Sequence, residues 1–174
     1  LAEHMAPNQA MSRLLGAVRL DTRRDVLGVE MDATFDRLSF DALRTGYPSL
    51  TPFGGLTGRV ITSGTLASLN VDADVTGDLG TVRALGRITA LAPRWGADSL
   101  DLTFTRVDLD ALLGRGGSTA LNGRMHVRGT IDSLVPPEGT VALDLDRSRV
   151  GGLTFEEATL RLGASAGMLQ VDSA

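Results

Sequence analysis

Three pairs of aspartates sit two residues apart: Asp72/Asp74, Asp108/Asp110 and Asp144/Asp146. On an extended strand, residues i and i+2 share a face about 6.6 Å apart. Two carboxylates so placed could flank a glycosidic bond or hold a cation. The neighbours argue for a plainer role. Asp72 and Asp74 alternate with Val71, Ala73 and Val75, and Asp144 and Asp146 with Leu143 and Leu145, so alternation alone turns these acids to solvent. Asp108 and Asp110 stand at a helix start, where carboxylates cap free N–H groups. Three scattered copies read as repeat grammar rather than one site.

The remaining reactive types are equally sparse. His126 lies between Met125 and Val127 and so faces outward with Arg124 and Arg128. A lone histidine without a cysteine, a serine elbow or a second histidine beside it is no catalytic base candidate. The clusters Gly54-Gly55, Gly114-Arg115-Gly116-Gly117 and Gly151-Gly152 lack a following Lys-Ser/Thr and open no long helix. They read as turns, not phosphate loops. Arg59, Arg124 and Arg128 could hold lipid phosphates, since a guanidinium fork matches phosphate oxygens. The plainer reading is a solvated face that balances the aspartates.

Composition closes most other routes. The chain has 174 residues, no cysteine, and arginine as all 17 of its basic residues. Thiolate, zinc-thiolate and Schiff-base chemistry are thereby excluded. We expect no catalytic residue, no metal site and no cofactor, hence no enzyme. The net charge of −4 and only seven aromatic side chains argue against nucleic acid as a partner. No apolar run is long enough for a membrane-spanning helix.

The elements that must position these residues are strands. Val29-Glu30-Met31-Asp32-Ala33-Thr34-Phe35, Leu69 to Val75 and Ser99 to Thr105 alternate apolar with polar, as do Val141, Leu143 and Leu145 with their neighbours. Weaker runs follow at Val18/Leu20/Thr22, Val82/Ala84/Gly86/Ile88 and Leu121/Gly123/Met125/Val127. Near the end, Leu153/Phe155 and Ala158/Leu160/Leu162 keep opposite phases, so a bulge or bend is expected at Glu156-Glu157. About ten strands are predicted. Two single helical turns are expected, at Ser39–Gly46 and Asp108–Gly114.

These elements repeat. Thr34–Leu43 matches Thr103–Leu112 at six of ten positions, and Leu56–Leu69 matches Leu121–Leu134 at seven of fourteen. The offsets are 69 and 65, the difference falling in a longer first loop around Tyr47–Pro52. Strand-interior Gly58, Gly64, Gly123 and Gly129 recur at matched places, as a sheet that must curl would require.

The alternating strand, the Asp-Ala-Leu turn, the Leu-x-Gly-Arg…Gly-Thr-[Leu/Ile]-x-Ser-Leu stretch and Val141–Phe155 together resemble the TamB and AsmA-like proteins of bacterial envelopes. The resemblance runs from about Arg13 to Val171. It implies an all-β fold, a long antiparallel sheet curled into an open apolar groove, or β-taco. It also implies a protein anchored in the inner membrane, located in the periplasm, and moving phospholipids between inner and outer membranes. A closed β-sandwich or a β-solenoid is the alternative architecture. Residues 1–8 are set aside: Leu1-Ala2-Glu3-His4-Met5 reads as a cloning remnant or a disordered start. Residues 9–174 read as one β-groove segment excised from a larger protein, with copies at about 18–80 and 85–147 and a partial third at 148–174.

The expected groove lining is Val18, Leu20, Val29, Met31, Ala33, Phe35, Val60, Val71, Ala73, Val75, Leu100, Leu102, Phe104, Met125, Val127, Val141, Leu143 and Leu145. Leucine, valine, alanine and methionine dominate it, and such smooth aliphatic walls suit disordered acyl chains. Phospholipid acyl chains are thus the expected partner. The rival function is a scaffold for outer-membrane protein or autotransporter assembly, with an outer-membrane β-barrel strand pairing to an open edge. Self-association through the open ends of the sheet is also expected.

Overall fold

The computed structural model describes residues 2–4, 12–23, 25–40, 54–114, 118–132 and 135–173. The strands are β1 (Ala2–His4), β2 (Ser12–Asp21), β3 (Gly28–Ser39), β4 (Gly55–Thr65), β5 (Ser68–Gly77), β6 (Gly80–Leu91) and β7 (Arg94–Val107). After helix α1 (Leu109–Leu112) come β8 (Thr119–Asp132), β9 (Val135–Leu145), β10 (Ser148–Val150), β11 (Leu153–Phe155), β12 (Ala158–Ser165) and β13 (Met168–Ser173). The alternating runs fall within these strands, except that Thr22 lies just beyond β2. The expected count of about ten falls short of the thirteen because the three-residue β1 and β10 and the six-residue β13 were not foreseen. Ala2–His4, set aside in the sequence reading, pair with Ser12–Leu14.

All pairings are antiparallel, and the sheet runs in chain order from β1 to β9, then β12 and β13. Its two ends do not pair, so it is one open sheet. A solenoid of parallel strands is thereby excluded. A closed sandwich does not form either. An 18.3 kDa chain folded compactly would expose roughly 8,100 Å². This chain exposes 11,308 Å², and its buried apolar side chains are Ala33, Leu69 and Ala97 among the described residues. Among the described residues no second layer covers the sheet.

The chain bends at Glu156, as expected, and the phase slip at Glu156-Glu157 marks a change of partner rather than a bulge inside one strand. β11 ends at Phe155 and pairs only with β10, which in turn pairs with the start of β8. β12 begins at Ala158 and joins β9. The apolar phase flips there because the two strands belong to different ladders.

True bulges occur elsewhere, at Phe35/Leu38 in β3 and Phe104/Val107 in β7. Each holds a left-handed arginine, Arg37 (φ 54°) and Arg106 (φ 53°). Each arginine donates its backbone N–H to a side-chain oxygen of the following repeat strand, Thr57 Oγ1 at 3.4 Å and Asn122 Oδ1 at 2.9 Å. The extra residue returns Leu38 and Val107 to the face of Phe35 and Phe104. Without it they would turn to the polar side. The second predicted helical turn is α1, capped by Asp108, whose carboxylate accepts from Ala111 N–H at 3.1 Å. The first falls largely on residues 41–46, outside the described residues.

Candidate functional site

Cross-strand partners in a ladder share a face, so register alone assigns every side chain to one side of the sheet. One row reads Val18, Met31, Thr62, Val71, Gly86, Leu100, Val127, Val141, Leu162, Val171. The next reads Gly16, Ala33, Val60, Ala73, Ala84, Leu102, Met125, Leu143, Leu160. A third reads Leu14, Phe35, Gly58, Val75, Val82, Phe104, Gly123, Leu145, Ala158. On the other side of the first lies Leu20, Val29, Gly64, Leu69, Ile88, Ala97, Gly129, Gly139, Ala164, Leu169. All eighteen residues expected to line a groove stand on this one face. The second row ends on β13 at Ser173; every other position in the four rows is aliphatic, aromatic or glycine except Thr62. Its hydroxyl is buried and without a hydrogen-bond partner.

Sequence reasoning missed about half of the face. Leu14, Leu69, Val82, Ala84, Ile88, Ala97, Leu160, Leu162 and Leu169 belong to it. Their period-two phase was legible, but no sequence signal says which strands are neighbours. Glycines occupy the face as well. Gly58 stands opposite Phe35 and Gly123 opposite Phe104. Gly123 has φ 150°, and a Cβ there would strike the Asp144 carbonyl oxygen and lie 3.0 Å from Leu145 Cα. Glycine is needed for that close approach of the two backbones.

The face is hollowed across β6 to β9, β12 and β13. A concavity of about 400 Å³ there is walled by Ala97, Leu100, Val127, Val141 and Leu162, with Gly129 and Gly139 on its surface. Side chains on the four rows are mostly half-buried, so water and small apolar molecules reach them.

The opposite face carries the ionisable groups. Asp72 and Asp74 face out, as their alternation required. Arg59 forks onto Asp32 at 2.8 and 2.5 Å, and Arg161 meets Asp144 at 2.9 Å. Each arginine holds its aspartate below the usual carboxylate range, chiefly by hydrogen bonding. Asp108 is also pulled down, first by the Ala111 N–H and then by Thr119. His126 shares the outward face with Arg124 and Arg128 and contacts Asp101 at 2.8 Å. These exposed pairs are dispersed along the sheet. No three potential metal ligands come together among the described residues. The arrangement offers one extensive apolar face and, opposite it, a face of dispersed exposed ion pairs.

No family model, characterised protein or solved structure matches the chain.

Proposed function

We propose that the protein is a non-enzymatic lipid-conducting surface, a segment of a periplasmic phospholipid conduit of the TamB and AsmA-like kind. Four rows, apolar but for Thr62 and Ser173, across an open sheet that no second layer of described residues covers carry this reading. In a soluble protein a contiguous apolar face of that size marks a surface meant for an apolar partner. The matched bulges, the paired left-handed arginines and the recurrent strand glycines support the repeated, curled sheet that a groove requires. The 400 Å³ hollow supports a concave apolar side.

The energetics need no tight site. Burying a methylene is worth about 0.8 kcal/mol, so a sixteen-carbon chain prefers a dry wall to water by roughly 13 kcal/mol. Its preference for the wall over a bilayer is far smaller, because both are dry. The surface removes the aqueous barrier while the head group stays in water along the open side. Eleven strands at about 4.8 Å spacing make this path roughly 48 Å long.

The test is lipid extraction and native mass spectrometry of the purified protein. Copurified phospholipid, displaced by a fluorescent fatty acid, is the expected result. Protein free of lipid that also fails to bind such a probe would refute the reading. The open edges of β2 and β13 favour a second reading, pairing with an outer-membrane protein strand during assembly. A client strand peptide that binds with lipid absent would select it.

A further inference from the structure

The sheet has two unpaired edges, and they fit each other. At one end, β1 covers only Ser12–Leu14 of β2, and among the described residues no strand pairs with the outer side of Leu15–Leu20. At the other, β13 offers six residues, Met168–Ser173, and no described strand pairs with its outer side. Both edges expose apolar side chains: Val18 is 63% and Leu20 58% accessible, Leu169 70% and Val171 58%. Neither carries the proline or the dense charge with which isolated edges are blunted.

Backbone geometry agrees. β12 and β13 are joined by the two-residue turn Ala166-Gly167, both with positive φ. In such a hairpin the flanking pair exchanges hydrogen bonds, so Leu169, Val171 and Ser173 turn their N–H and C=O groups outward. The same counting from the Leu66-Ala67 turn through β4 and β3 leaves Gly16, Val18 and Leu20 facing out from β2.

We propose that copies of this chain join head to tail, β13 of one pairing antiparallel with β2 of the next. The register sets Val171 opposite Val18 and Leu169 opposite Leu20. That choice continues both apolar rows without a break. A slip of two residues in one direction would push Leu169 past the end of β2, onto Thr22. On the polar side the register puts Asp172 opposite Ala17 and diagonal to Arg19. This is the diagonal that Asp144 and Arg161 already use across β9 and β12. Pairing either edge with its own like would instead bring two Asp172 or two Arg19 side chains together. A head-to-tail contact does not close on itself, so it lengthens the apolar face with each copy added. It holds whether or not lipid lies on that face.

Cysteine pairs test the register cleanly, because the chain has no cysteine of its own. Ala17→Cys protein mixed with Asp172→Cys protein should form a disulfide dimer under mild oxidation, the Cα atoms of a non-hydrogen-bonded pair lying about 4.5 Å apart. Ala17→Cys with Gln170→Cys, one register step away, should not. Sedimentation velocity should show association rising with concentration in the unaltered chain. Val171→Pro removes an outward N–H that β12 does not use. It should weaken association roughly tenfold or more while the circular dichroism stays unchanged. A monomer at all concentrations would overturn the proposal. So would dominant Ala17–Ala17 cross-linking, or association undiminished by a folded Val171→Pro protein.

Discussion

Leu102 stands mid-row between Ala84 and Met125, on the face proposed to carry acyl chains. Leu102→Asp puts a carboxylate there. In a closed core an unpaired charge costs about 3–5 kcal/mol and would unfold a domain of ordinary stability. Here the cost is smaller, because Leu102 is half-buried and its face is not roofed. A fully buried leucine contributes about 1.5–3 kcal/mol, of which an open sheet realises part. Aspartate's poor fit to a pleated strand adds up to about 1 kcal/mol. The sum is a destabilisation of roughly 1–3 kcal/mol, read as a lower urea midpoint at an unchanged slope. The far-ultraviolet dichroism should remain that of a sheet. Binding of a fluorescent fatty acid should drop sharply, because a charge in the row rewets the wall. Thr103→Asp, one residue along and on the other face, should leave binding intact. A Leu102→Asp chain that unfolds outright would mean that this face is a closed core. A folded variant that binds probe as before would remove the row from the proposed path.

Gly123→Ala should cost about 1–3 kcal/mol in urea unfolding, since φ 150° and the Asp144 carbonyl both oppose a side chain, whereas Gly163→Ala, with nothing within 4 Å, should be nearly neutral. Thr62→Val should raise stability by about 1 kcal/mol, because it removes a buried hydroxyl that has no partner at a residue only 8% exposed. Asp108→Asn should blunt acid unfolding. The folded state holds the Asp108 carboxyl below its ordinary value, so its stabilisation is complete above about pH 4 and is lost as the pH falls through the lower folded value. Urea midpoints of the two proteins should therefore converge as the pH drops below 4, and a constant gap would refute this role for Asp108.

The strands and their dry sides were legible in the residues themselves. Period two forces Val71, Ala73 and Val75 to one side and Asp72 and Asp74 to the other, whatever the partner strand is. The likeness of Arg37 to Arg106 and of Gly58 to Gly123 in their sequence surroundings was legible too. Their shared backbone conformations show why these types recur. The helical turn after Asp108 followed from its capping carboxylate, a local interaction. Partnership between strands was not legible, because alternation carries no information about neighbours. Hence Leu69 and Ile88 were missed as members of the row of Val29, and Leu162 as a member of the row of Leu100 and Val141. The break at Glu156-Glu157 looked the same as a bulge in sequence, since both shift the phase by one residue. Only the ladder shows that β11 follows β10 and β12 follows β9. Openness likewise belongs to the tertiary structure. An apolar strand face is written identically whether another layer covers it or water does. What leaves this face bare is that the described residues supply no second layer: every long strand adds to the same sheet.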